Sequence, residues 1–295
     1  MNASRLNEIV AGIRSGDVVP YLGPSVLQGV VDSVDGSSIP ADSDSLIYAM
    51  TGGHAMAPRL MYEFPRAAMH MENKKGRGFL DHFLNRVYGE RNWKRSGFHE
   101  WLATLEPAYI IDSNRDTQLQ QIYADRPHTL VVGVARIAGT PYRFDIYEFG
   151  DGEYRTVDQE HVNPALPVLF KILGTPLPKP SFIASDADFV DYITELMGGF
   201  AVPTWLKQYR QHKKYLFVGM RFVRDTERMV MSELVYGASD PVGWALIPDP
   251  TDKERRFCSR KRIELIEADW PELLAQPSLI QSQLTETSRH VTAKL

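Results

Sequence analysis

Val18-Val19-Pro20-Tyr21-Leu22-Gly23-Pro24-Ser25 is the stretch that decides the fold. An unbroken apolar run with no polar alternation describes a strand buried on both faces, as in a parallel sheet covered by helices. Gly23-Pro24-Ser25 closes it as a tight turn. Upstream, Leu6, Ile9, Val10 and Ile13 recur at helical spacing behind Ser4, and Gly16 ends that helix. The same grammar returns downstream. Tyr109-Ile110-Ile111 enters the polar turn Asp112-Ser113-Asn114-Arg115-Asp116 and a helix through Leu119 and Ile122. Val168-Leu169-Phe170-Lys171-Ile172-Leu173 ends at Gly174, and Tyr215-Leu216-Phe217-Val218 ends at Gly219 ahead of a helix from Asp225 to about Val235. Short apolar strands that each end in a glycine or polar turn before a helix predict an α/β fold. Its form is a Rossmann-like open parallel sheet with helices on both faces and its ligand crevice outside the carboxyl ends of the strands.

The intervening segments fill in this plan. Gly29 to Ser45 is rich in Gly, Ser, Asp and Pro and reads as a loop. Residues from about 46 to 106 read as helical, with one stripe at Phe79, Leu80, Phe83, Leu84 and Val87 and another at Phe98, Trp101, Leu102 and Leu105, stopped by Pro107. Thr129 to Arg136 and Pro141 to Phe149 favour strands, and Gly150-Asp151-Gly152 suits a hairpin turn, so about 128–160 is expected as a small inserted β-rich lobe. Ser185-x-x-Asp188 is a capping box ahead of a helix bearing Phe189, Tyr192, Ile193 and Leu196. Strands at Gly243 to Pro248 and Lys261 to Glu267 and a helix at Trp270 to Leu274 complete a single domain of 1–275, followed by a polar tail, 276–295.

Composition excludes several classes of function. A chain that is 43% hydrophobic and 24% charged can bury a core, and its net charge of −4 offers no basic footprint for nucleic acid. The single cysteine, Cys258, permits no internal disulfide and points to a reducing, cytoplasmic setting. Neither a signal peptide nor an apolar run long enough for a membrane span is visible. None of the eight histidines falls in a His-x₃-His or His-Glu-x-x-His pattern, so no metal site is expected. No Gly-x-Ser-x-Gly elbow or phosphate-cradling loop with lysine occurs either. Met50, Met56, Met61, Met69 and Met71 fall in one segment, which reads either as core filling or as an adaptable contact surface.

Taken in order, Val19 to Ser25, Asp112 to Asp116, Lys171 to Gly174, and Leu216 to Gly219 with Asp225 give the chain a resemblance to the SIR2-like (sirtuin-related) family, over roughly residues 5 to 275. It looks most like bacterial stand-alone members without the zinc module. The resemblance implies a nucleotide pocket built from Gly23, Pro24, Ser25, Asn114, Asp116, Gly174, Gly219 and Asp225. In the family the first turn is Gly-Ala-Gly, whose backbone N–H groups approach the NAD pyrophosphate; here Pro24 removes a donor and Ser25 adds a side chain. Asn114 and Asp116 match the family's Asn-x-Asp, although Gln120 stands where an acidic residue is frequent. Read without the family, Asn114 and Asp116 equally suit helix capping, and Asp225 an N-terminal helix charge.

The third motif carries most weight. Family members that use NAD read Lys-Leu-His-Gly, with the histidine as general base near the ribose, whereas this chain reads Lys-Ile-Leu-Gly, and Leu173 can neither take nor give a proton. The expectation is therefore a catalytically silent SIR2-like protein with no catalytic residue and no required cofactor, any NAD or ADP-ribose contact being vestigial, and with another protein as partner. Stand-alone relatives among nitrogen-fixation accessory factors make a nitrogenase component one such partner. The alternatives are an NAD-consuming hydrolase of the antiphage-defence type and an NAD or ADP-ribose sensor.

Overall fold

In the computed structural model, which describes residues 3–274, the elements follow in the order α1 (Ala3–Ser15), β1 (Val18–Leu22), a 3-10 turn (Pro24–Leu27), α2 (Ser43–Met50), α3 (Phe64–Lys75), α4 (Arg77–Tyr88), α5 (Gly97–Ala103), β2 (Tyr109–Asp112), α6 (Gln118–Ile122), β3 (His128–Gly133), β4 (Phe144–Gly150) and β5 (Glu153–Thr156). They continue as β6 (Val168–Lys171), β7 (Gly174–Thr175), β8 (Ser181–Phe182), α7 (Asp186–Gly198), α8 (Thr204–Tyr209), β9 (Lys214–Val218), α9 (Asp225–Leu234), β10 (Gly243–Leu246), α10 (Asp252–Lys261), β11 (Ile263–Ile266) and α11 (Trp270–Leu274). The expected polar tail, 276–295, lies outside the described residues.

One nine-stranded sheet runs β11-β10-β9-β1-β2-β6-β3-β4-β5, parallel except where β4 and β5 turn back. Side chains alternate along each central strand. Val18, Leu22, Ile110, Leu169, Leu216 and Val218 face the core layer of α1 to α5. Val19, Tyr21, Ile111, Phe170, Tyr215 and Phe217 face the layer of α7 to α10. Burial on both faces is why these strands carry no polar alternation, and each fully buried Leu, Val or Phe contributes about 1.5–3 kcal/mol. The α/β expectation, a largely parallel sheet with helices on both faces, holds.

Three local expectations need correction. The segment 128–160 is no separate lobe: β3 pairs in parallel with β6, and β4 and β5 extend the same sheet as an antiparallel edge. The β4–β5 alternation is that of a half-covered edge hairpin, and sequence cannot say which strand it joins. The helical stretch 46–106 begins at Ser43 and breaks into four helices, with turns through 51–63 and an extended piece at Trp93 that bridges to Asp32. The Gly29 to Ser45 loop is pinned, because Arg91 donates from Nε to Asp32 at 2.9 Å and from Nη2 to Asp35 at 2.5 Å. Finally, Gly174 does not end the β6 strand. It opens the two-residue β7 at φ +87°, and a Cβ there would stand 2.1 Å from the Ser181 carbonyl oxygen.

Strand order fixes where a ligand crevice belongs. From β1 the chain builds outward through β2 on one side, then returns to build β9, β10 and β11 on the other. The switch point is the gap between the carboxyl ends of β1 and β9, where Gly23 and Gly219 turn away.

Candidate functional site

At the switch point lies a narrow cleft of about 80 Å³ lined in part by Tyr21, Pro24, Asn114, Leu173, Glu63 and Glu227. Pockets that enclose ligands of cofactor size hold about 300–1,000 Å³. The cleft floor comes from the strand ends, its roof from α3 and α9.

The glycine turn closes on itself. Gly23 N–H donates to the Val218 carbonyl at 2.8 Å, Ser25 N–H to Gly219 at 2.9 Å and Val26 N–H to Gly23 at 3.3 Å, while Pro24 has no N–H to give. A Cβ on Gly23 would lie 2.5 Å from the Gly219 carbonyl oxygen, so this glycine serves the close packing of two turns. A pyrophosphate cradle needs free, convergent N–H groups, and here these donors are consumed by the fold.

The Asp112–Asp116 turn is likewise tied inward. Asn114 Nδ2 donates to the Gly23 carbonyl at 3.0 Å and to Asp112 Oδ1 at 2.9 Å, clamping the end of β2 to the β1 turn. Asp116 Oδ1 accepts from Gln118 N–H at 2.7 Å, fixing the start of α6. Lys171, fully buried, donates to Asp112 Oδ2 at 2.6 Å and lies 3.6 Å from Asp116 Oδ2. Gln120 Nε2 donates to Thr175 Oγ1 at 2.7 Å, and Thr175 Oγ1 donates in turn to the Asp116 carbonyl. These polar groups form a sealed girder behind the cleft, with Ser113, Asn114 and Arg115 of the turn at its wall.

No histidine lines the cleft among the described residues, and Leu173 occupies its wall. His99 interacts electrostatically with Asp116, Asp112 and Lys171, yet it is fully buried on α5, both ring nitrogens lack a partner, and burial pushes its pKa down. It is shut off from any ligand in the cleft.

Sequence reading placed Gly23, Pro24, Ser25, Asn114, Asp116, Gly174, Gly219 and Asp225 in one pocket, and the structure divides them. Pro24 and Asn114 line the cleft, and Ser25 and Gly219 line a hollow beside it. Gly23 and Asp116 lie behind it, and Gly174 belongs to the β7–β8 hairpin. Asp225 lies outside the cleft: its side chain is 72% exposed and pairs with Arg228.

The charged groups at the mouth were not foreseen. Glu63 is buried and accepts from Thr226 Oγ1 at 3.2 Å. Glu227 sits beside it; burial raises its carboxyl to about 7, Arg224 opposing the rise and Glu63 and Glu254 adding to it. Asp42 and Asp44 edge the neighbouring hollow with Arg221 and Arg224. Arg221 is already held by Glu254 at 2.6 Å, and Arg224 lies over the Tyr62 ring at 4.5 Å. Arg115 and Arg224 line the cleft together with Glu63 and Glu227, so cations and carboxylates are matched there. One signal for Glu227 was visible: it shares the i, i+3, i+4, i+7 face of α9 with Val230, Met231 and Leu234, where a carboxylate is out of place.

Fold and site together define a doubly wound α/β protein with its crevice at the β1/β9 switch. The SIR2-like domain model matches residues 108–266, and the chain belongs to that family. The match spans the Asp112–Asp116, Lys171–Gly174 and Leu216–Asp225 motifs and leaves the Gly23 turn outside it. Among curated proteins none matches the chain. Among the described residues no group of three or more His, Cys, Asp or Glu side chains could hold a metal, and no helix is long and apolar enough to cross a membrane.

Proposed function

We propose that this protein is a catalytically silent SIR2-like protein that works as a protein-binding accessory or regulatory factor. The observation that carries the reading is Leu173 in the cleft wall where the family motif has its proton acceptor. The self-bonded Gly23 turn and the small cleft volume argue against a bound dinucleotide.

Support for a protein partner comes from the outer face of α7 and α9. Met197 on α7 and Met229 on α9, 65% and 48% exposed, line a hollow between the two helices, and Val190 on α7 and Tyr236 just beyond α9 are 67% and 69% exposed. Large apolar side chains gathered in this way mark contact surfaces in soluble proteins. The methionine-rich segment does not supply that surface: Met50 and Met71 are buried, and Met56 and Met61 pack against the core.

The test has two arms. Purified protein incubated with NAD is expected to release no nicotinamide and to show no NAD- or ADP-ribose-dependent thermal stabilisation. Turnover would refute the silent reading, and stabilisation without turnover would make the protein a sensor. Affinity capture from native lysate, with a nitrogenase component included as purified bait, is expected to retain a protein that Met197→Glu releases while the melting temperature holds. Identical capture by the variant would remove this surface from the proposal.

A further inference from the structure

The switch-point cleft carries a charge pattern that neither a dinucleotide nor a protein partner explains. Arg115, in the turn after β2, lines it and is only 7% exposed. Its Nε and Nη2 both donate to the Ile183 carbonyl, at 2.9 and 2.5 Å, while Nη1 has no hydrogen-bond partner and the guanidinium no ion pair among the described residues. Asp188 acts on the guanidinium from a distance, yet its own oxygens are engaged, Oδ2 by Arg77 at 2.5 Å and Oδ1 by Arg136 at 2.7 Å. A cation withdrawn from water without a counter-ion is costly, and burial, the largest influence on Arg115, pulls its pKa down.

A second pole of the cleft has the opposite character. Glu63 and the half-buried Glu227 line it, and neither forms an ion pair among the described residues. Arg224 is the cation beside them, held over the Tyr62 ring, so two carboxylates face one guanidinium. The groups acting on Glu227 are Arg224, Glu63 and Glu254, whereas those acting on Arg115 are Tyr88, Asp188 and Arg77. The two poles therefore stand apart instead of neutralising each other. Phe64, Leu173, Phe189 and Val230 give the cleft apolar walls. Its volume of about 80 Å³ is several times the ~10–15 Å³ that admits one water, which limits a guest to a handful of non-hydrogen atoms.

From a lone buried cation, a separate pair of carboxylates and apolar walls we infer that the cleft binds a small ω-amino acid, its carboxylate on Arg115 Nη1 and its ammonium against Glu63 and Glu227. A carboxylic acid without the amine would leave the acidic pole unpaired, and an amine without the acid would leave Arg115 without a counter-ion. A short zwitterion places a charge-assisted hydrogen bond at each end and its methylenes against the walls. This ligand goes beyond the accessory role proposed above, and the α7–α9 surface has no part in it.

Titration calorimetry on the full chain at pH 8, where Glu227 is charged, tests this with 4-aminobutanoate, 5-aminopentanoate and 6-aminohexanoate, and with pentanoate and pentylamine as single-charge controls. At least one amino acid is expected to bind saturably, about tenfold or more tighter than either control, because each control lacks one charge-assisted contact. Glu227→Gln is expected to cancel the advantage over pentanoate, and Arg115→Met the advantage over pentylamine. If Arg115→Met does not fold, as its melting curve would show, Glu227→Gln decides the matter alone. Absence of saturable binding by all three amino acids at millimolar concentration overturns the inference, as does binding no tighter than that of pentanoate or binding that Glu227→Gln leaves unchanged.

Discussion

Glu227 offers the sharpest quantitative test of the cleft. Its carboxyl lies at about 7 in the folded chain against an ordinary 4.5, raised first by burial, with Arg224 opposing and Glu63 and Glu254 reinforcing the rise. A raised acid binds its proton more tightly when folded, so the fold has its full stability from this group below pH 4.5. That stability falls as pH climbs toward 7, and the loss is complete above it. The gap from 4.5 to about 7, at about 1.4 kcal/mol per pH unit, sets a ceiling of about 3 kcal/mol. The side chain is only partly covered by accessible surface, so water screens the charge and about 1–2 kcal/mol is the expected effect. Glu227→Gln removes the titration at nearly constant shape. Urea unfolding of both proteins at pH 5 and pH 8 should show little difference at the lower pH and a variant more stable by about 1–2 kcal/mol at the higher. Equal stabilisation at both values, or a less stable variant at pH 8, would refute the account, the latter because it would mean that Glu227 is charged and satisfied.

Other perturbations probe neighbouring claims. Lys171→Met strands Asp112 and Asp116 in a sealed interior and is expected to cost about 3–5 kcal/mol, read as a lowered denaturation midpoint. Gly174→Ala forces a Cβ against the Ser181 carbonyl at a positive φ and is expected to cost more than about 1 kcal/mol by the same measurement. Leu173→His returns an imidazole to the cleft wall without freeing the Gly23-turn donors, so nicotinamide release is expected to stay at background; clear turnover would show that the cradle still functions. In Arg91→Ala the loop carrying Asp32 and Asp35 loses its clamp, and faster amide exchange through Asp32 to Ser37 is expected by mass spectrometry.

The chain's own text settled the class of fold and the direction of its parallel core. Unbroken apolar runs such as Val18 to Leu22 and Tyr215 to Val218 need cover on both faces, and that demand is written in consecutive residues. The leucine at position 173, where the family resemblance places a proton acceptor, was legible for the same reason, since one position in one motif suffices to state it. Strand order was not legible. Nothing local tells β4 and β5 to join the main sheet rather than stand apart, because register and partner are set by contacts between residues far apart in sequence. The site was decided at that level too. Ser25 N–H is spent on Gly219, Asn114 on Gly23, and Lys171 on Asp112, pairs separated by scores of residues. Two positions along α9, Asp225 turns to solvent and Glu227 toward the cleft, a choice made by the face of the helix that meets the sheet. Sequence names the groups available for chemistry; only packing determines which of them remain free to meet a ligand.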